Sequence, residues 1–296
     1  MLSLSGSVDV IYELENENYK LQVSEIGAEL QSLRSKKTGR EFLWSGDPAV
    51  WKGRSPILFP IIGRLLNDRY RVNGTEYTMP KHGLVRHEPF SLLAKTDTQL
   101  TLCRESDENS LRQYPFHFRL TVTYTLLENG LCVSHTVANP DDKPLLFSFG
   151  AHPGFTCDLG DRLVFEQNET VDTERLDDET GVLSDERFPL LQNENTVTIT
   201  AHSFDHDALI LSGLKSRYVT LVSDNRPQQV RFSFDSPLLG IWAKPGAPYV
   251  CLEPWWGIDD DAHEKADFSQ KRGIMTLPGG MEKTFCWKAE IQHDIC

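Results

Sequence analysis

The sequence holds no run of 18 apolar residues, so it offers no helix able to cross a bilayer. None of its six cysteines forms a Cys-x-x-Cys pair, which removes the zinc-ribbon and thioredoxin-type signatures. Basic residues are in deficit: 30 Lys and Arg stand against 43 Asp and Glu, leaving a formal charge of −13. That balance opposes general nucleic-acid binding and adhesion to anionic membranes, so neither is expected as a partner. Also missing are a Gly-x-Gly-x-x-Gly turn, a Walker loop and a Gly-x-Ser-x-Gly elbow, and with them the sequence support for dinucleotide, nucleotide and elbow-hydrolase chemistry. Residues Met1 to Ser7 have neither a basic start nor a long apolar stretch, so no secretory leader is expected and a reducing, cytoplasmic setting follows.

Helical periodicity is nearly absent as well; what is present is alternation. Val8, Val10, Tyr12 and Leu14, then Tyr19, Leu21 and Val23, then Leu30 and Leu33 with Phe42–Trp44, predict an opening β-meander. Asn73–Gly74 predicts a hairpin turn. Leu120, Val122, Tyr124 and Leu126 turn at Gly130 into Leu131, Val133, His135 and Val137, a half-buried antiparallel hairpin. His117 and His135 read as packed core histidines, and Cys132, Cys251 and Cys286 as small apolar groups in strands. Residues 161–200 are polar and read as loop-rich, with short strands near Leu163–Phe165 and Val197–Ile199. Further strands are predicted at 208–211, 218–222, 230–234, 239–243 and 285–291, a short helix over His263–Lys271, and a solvated loop at Asp259–Asp261. Roughly twenty short strands with no repeat and no linker predict one all-β domain over residues 1–296, a sandwich of antiparallel strands with few short helices.

Two stretches carry candidate chemistry. In Tyr249–Gly257, alternation puts Tyr249, Cys251 and Glu253 on one strand face, with Pro254, Trp255 and Trp256 following. A carboxylate among aromatics is poorly solvated, so its proton affinity is tunable. In Leu145–Phe155, Leu145, Phe147 and Phe149 form a bulky face. Ser148, Gly150 and His152 form a bare one that leaves room for something to lie against it. Two more segments converge on polar side chains. Phe59–Arg64 is an apolar, Pro-interrupted loop ending in Gly63–Arg64, and Lys81–His87 packs His82 and Arg86 into one short run. The His202–Asp207 cluster matches no standard metal spacing. Tryptophan faces with few polar groups suit a small sugar-like ligand, and a carboxylate opposed by histidine is an acid/base pair.

Phe59–Arg64, His82–Gly83 with Arg86, Gly150–Phe155, His206–Ile210 and Leu252–Trp255, taken together and in order, resemble the aldose 1-epimerase (galactose mutarotase) family, its LacX-like subgroup above all. The resemblance covers nearly the whole chain. It implies a galactose-mutarotase-like β-supersandwich, no cofactor and no metal. It implies Glu253 as general base and His152 as general acid, with Arg64, His82 and Asp207 on the sugar hydroxyls. Arg86 and Trp255 complete the substrate-binding set. The chain departs from galactose mutarotases in two places: Leu84 stands where a second glycine follows His82-Gly83, and Ala151 where an asparagine precedes the acid histidine. Both positions belong to the sugar pocket. The His82–Arg86 run also resembles hexose-6-phosphate epimerases, with Lys52, Arg54, Arg64 and Arg86 available for a phosphate. Two other classes share these residues: a non-catalytic sugar-binding or sensing protein, and a metal-dependent isomerase built on His82, His152 and Glu253.

Overall fold

Alternation in the sequence becomes antiparallel pairing in the chain. The computed structural model describes residues 9–293; the expectations for Met1–Val8 and Cys296 lie outside them. The protein is all-β. Ile11–Glu15, Tyr19–Ser24 and Leu30–Ser35 make the predicted meander. Arg69–Val72 and Thr75–Thr78 pair around Asn73 and Gly74, both at positive φ, as the hairpin signal requires.

Most remaining strands join one 15-stranded sheet. Its path starts at Ile57–Leu58 and runs through Phe149–Ala151, Tyr249–Trp256, Leu238–Trp242 and Leu209–Ser212. It goes on through the long strand Arg162–Leu176 to Tyr218–Val222, Gln228–Phe234 and Glu282–His293, crosses the Gly130–Ala138 and Arg119–Leu127 hairpin, and ends with Gln99–Glu105 and Ser91–Lys95. The sheet curls on itself. Phe149, near its start, stacks on Phe285, far along it, with centroids 4.8 Å apart and planes at 12°. His135 and Trp256 press on the same pair of rings. Strands distant in the order therefore face each other across a shared core, as in a sandwich. Phe149, Phe285 and Trp287 are buried there, each burial contributing about 1.5–3 kcal/mol.

Four local expectations change. Residues 161–200 form not loops but a hairpin of two strands, Arg162–Leu176 and Leu183–Thr198, with several register shifts. Much of that hairpin faces solvent, so its polar residues mimic a loop in the sequence. His263–Lys271 contains only a 3₁₀ turn at Phe268–Gln270. His135 is buried as expected, but His117 is exposed and meets Ser106 Oγ at 3.2 Å. Asp259 and Asp260 are not solvated: they are 2% and 6% exposed. Among the described residues no helix is long and apolar enough to cross a membrane.

Candidate active site

The site is set by strand register. Phe149 pairs with Trp256, Gly150 with Trp255 and Gly154 with Cys251. That ladder places His152 directly across from Glu253, and opposite residues of neighbouring strands share a face. Pro153 breaks the ladder between the two short strands; its carbonyl accepts from Leu252 N–H at 3.1 Å. His152 Nε2 and Glu253 Oε1 stand 3.2 Å apart. Both side chains are buried, Glu253 to 1% exposure and His152 to 7%.

Burial governs the protons of this pair. It lowers the His152 pKa to about 3 and pushes the Glu253 carboxyl well above the usual carboxylate range. The Trp255 indole N–H, donating to Glu253 Oε2 at 3.2 Å, and the nearby Lys81 pull the other way, toward the carboxylate. Desolvation is the largest effect on both groups, so burial favours their uncharged forms, a neutral imidazole and a carboxylic acid.

Two glycines make room for that indole. A Cβ on Gly240 would lie 2.8 Å from the Trp255 ring, and one on Gly150 would lie 3.1 Å from it. The space beside Gly150 that the sequence leaves open is thus taken by Trp255, and Trp255 orients Glu253. The aromatic wall nearest the pair is different: Trp51 and Trp242 approach His152 with ring centroids 5.1 and 5.6 Å away.

His82 enters from a second loop. Its backbone is at φ +68° and Gly83 at +78°. A Cβ on Gly83 would come within 2.1 Å of the Phe59 carbonyl oxygen, so this turn needs glycine. His82 is clamped at both ends: its N–H donates to the Gly63 carbonyl at 2.7 Å, and its Nδ1 accepts from Gly63 N–H at 3.0 Å. The clamp holds a non-glycine residue in a left-handed conformation, a cost normally tolerated at functional sites. Burial and then the surrounding cationic groups hold its pKa well below the ordinary histidine value. The ring stands edge-on to His152, 5.8 Å between centroids. Gly63 is itself required, since a Cβ there would overlap the Asp259 carboxylate. Asp259 Oδ1 accepts from Arg64 N–H at 2.9 Å, and burial raises its pKa.

These groups line one cavity of about 620 Å³, within the usual range for small-ligand sites. Of the seven residues singled out in the sequence, six line it: Glu253, His152, His82, Asp207, Arg86 and Trp255. Arg64 does not. Its guanidinium turns to Asp68 at 3.2 Å, and its backbone, not its side chain, supports the site. Sequence reasoning missed Trp51, Trp242, Lys81 and Asp259, all of which line the cavity. The three aspartates after Gly257 were the available signal for Asp259, but a run of acids reads first as a surface loop. Three cations, Lys52, Lys81 and Arg86, also line the cavity. The buried Arg86 Nε has no hydrogen-bond partner among the described residues.

One metal-capable group is present among the described residues: atoms of His152, Cys251 and Glu253 lie within 4.8 Å of one another. Burial pushes the Cys251 thiol well above its ordinary value, so the sulfur holds a proton here and is a poor ligand as it stands.

The comparisons with known proteins fit this geometry. The family model described as aldose 1-epimerase matches residues 10–269. The chain belongs to the aldose 1-epimerase family. It is 35% identical to chromosomal protein LacX of Lactococcus lactis subsp. lactis over 268 residues, 85% of this chain and 89% of that protein. It is 31% identical to a galactose mutarotase-like protein from Lactobacillus casei, with a TM-score of 0.90 over 96% of this chain and 100% of the other. A galactose mutarotase related enzyme from Lactobacillus acidophilus gives the same identity and TM-score over 96% and 97%. The aldose 1-epimerase family fold is therefore the galactose-mutarotase-like arrangement expected from the sequence motifs.

Proposed function

We propose that the protein interconverts the α and β anomers of a free hexose, with Glu253 as general base and His152 as general acid. The observation that carries this is the buried, cross-strand 3.2 Å contact of the two groups on the wall of a cavity of sugar-binding size. The pair brings one proton to the reaction. When a pyranose edge enters, its hydroxyls take over solvation and that proton moves to His152, leaving the Glu253 carboxylate supported by Trp255 N–H and Lys81. Glu253 takes the proton of the anomeric hydroxyl while His152 gives its proton to the ring oxygen. The C1–ring oxygen bond breaks, and the electron pair of the former O–H bond closes the C1 carbonyl. Rotation about C1–C2 presents the other carbonyl face. The two proton transfers then reverse and the opposite anomer forms. Each positioned acid or base is worth roughly 10²- to 10⁴-fold. His82, Asp207 and Arg86 hold the remaining hydroxyls, and Trp51 and Trp242 offer faces to the C–H surface of the ring.

A second reading shares the site. The lining cations Lys52, Lys81 and Arg86, the last with its Nε unpartnered among the described residues, support a hexose 6-phosphate in place of the free sugar. Polarimetry on fresh α-glucose, α-galactose and glucose 6-phosphate, with wild type, Glu253→Gln and His152→Ala, separates the readings. Anomer equilibration well above the buffer rate, lost in both variants, supports an epimerase. The preferred substrate decides between sugar and sugar phosphate. A wild type that binds sugar without turnover makes this family member a sugar-binding protein and overturns both.

A further inference from the structure

A second cavity, of about 450 Å³, is lined by residues that include Asp260, while Asp259 lines the first. Asp260 is 6% exposed. The Asp260 Oδ2 accepts from Leu66 N–H at 3.2 Å, but its buried Oδ1 has no hydrogen-bond partner among the described residues. The nearest cation, Lys265 Nζ, stops 3.7 Å from that oxygen and is engaged by Asp261 at 2.5 Å. Lys271, 3% exposed, donates to the Ile258 and Arg272 carbonyls. Tyr70 and Phe268, with ring centroids 4.6 Å apart, form an apolar wall.

The chemistry of this cavity selects its occupant. Four cationic and four carboxylate side chains line it, so it carries no formal charge and favours neither an anion nor a cation. The arginines there are spent on neighbours, as Arg71 is on Glu264 at 2.7 Å. What remains is a buried acceptor, an ammonium just out of its reach, and an aromatic wall. A hydroxyl suits this pair once the Asp260 carboxyl turns toward the cavity: it would donate to Asp260 and accept from Lys265, with an adjoining C–H face on the rings. We infer that this cavity is a second binding site, for a neutral polyhydroxylated ligand such as a sugar or sugar alcohol.

The site also touches the first. Asp260 N–H donates to the Arg64 carbonyl at 3.0 Å, and Asp259 accepts from Arg64 N–H. Gly63, one residue earlier, clamps His82. Occupancy of the second cavity therefore bears on the loop that fixes His82. The inference stands whether or not the chain is catalytic.

The test is isothermal titration with sorbitol, which has no anomeric centre, together with a sorbitol-soaked crystal. Sorbitol is expected in the second cavity with a hydroxyl on Asp260. Losing one hydrogen bond to a charged group should weaken binding about tenfold or more, in Asp260→Asn and separately in Lys265→Ala, and not in Glu253→Gln. Lys265 is partly exposed, so Lys265→Ala keeps the fold and leaves anomer equilibration unchanged. Sorbitol absent from this cavity, or an affinity indifferent to both substitutions, overturns the inference. Sugar turnover in wild type and its loss in Glu253→Gln are scored apart from these outcomes and judge only the epimerase proposal.

Discussion

His152 Nε2 lies 3.2 Å from Glu253 Oε1, across a strand ladder that Pro153 interrupts at that point. The two groups face each other within hydrogen-bond reach, so removing either disables the proposed chemistry in a different way. Glu253→Gln keeps the shape and the Trp255 contact but cannot accept the anomeric proton. His152→Ala strands a buried carboxyl and opens a hole. Both are expected to lower kcat by roughly 10²- to 10⁴-fold, with Glu253→Gln retaining wild-type thermal stability and His152→Ala losing some. Paired polarimetry and calorimetry measure this. A Glu253→Gln protein with undiminished kcat would remove Glu253 as the base.

Trp255→Phe deletes the N–H that favours the Glu253 carboxylate. A hydrogen bond to a charged group is worth about 1.5–3 kcal/mol. Its loss raises the carboxyl further. The acid limb of the kcat/KM profile should then move to higher pH, with activity recovering on the alkaline side. An unmoved limb would mean that the indole does not tune this group.

Gly83→Ala and Gly74→Ala form a controlled pair. Both glycines have φ near +80°, but a Cβ on Gly74 meets open space whereas one on Gly83 strikes the Phe59 carbonyl. Gly74→Ala should cost about 1–2 kcal/mol, the left-handed penalty alone. Gly83→Ala should cost more than about 3 kcal/mol and reduce turnover by displacing His82. Urea denaturation of the two variants, set beside their polarimetric rates, is the check; equal costs would mean that the 81–84 turn yields freely.

Acidification should destabilise the fold through its buried histidines. Burial lowers both His135 and His152 to about 3 from an ordinary 6.5. Between those values the unfolded chain binds protons that the native chain refuses. Their contribution is full above about pH 6.5 and falls as pH drops toward 3, by up to about 1.4 kcal/mol per pH unit for each proton. Glu253 acts in the opposite sense, its raised carboxyl costing stability as pH rises above the ordinary carboxylate value. His135→Leu, among Phe149 and its neighbours, should flatten the acid slope of chemical denaturation. A slope identical to wild type would show that His135 does not drive it.

Much of this was legible in the residues. Alternation located the meander and the 119–138 hairpin because each keeps one face on the core; Tyr249–Trp256, buried on both faces, showed instead as a short, mostly apolar run. The 162–198 hairpin was not legible, since a hairpin with so much solvent contact shows no clean period. The site side chains could be named from motifs, but their meeting could not: it depends on a register between strands a hundred residues apart. Asp259–Asp261 misled for a related reason. An aspartate run signals solvent unless backbone donors wait for it, and here the N–H groups of Arg64 and Leu66 do so from nearly 200 positions away. Arg64 shows the reverse, a plausible ligand residue whose charge is taken by Asp68 four residues on.

The Gly63 N–H that occupies His82 Nδ1 has a stereochemical consequence. A neutral imidazole with that nitrogen filled carries its hydrogen on Nε2, so the ring can only give a hydrogen to a guest, never take one. Whatever settles against it must offer a lone pair in that direction, which restricts which way round a pyranose can sit.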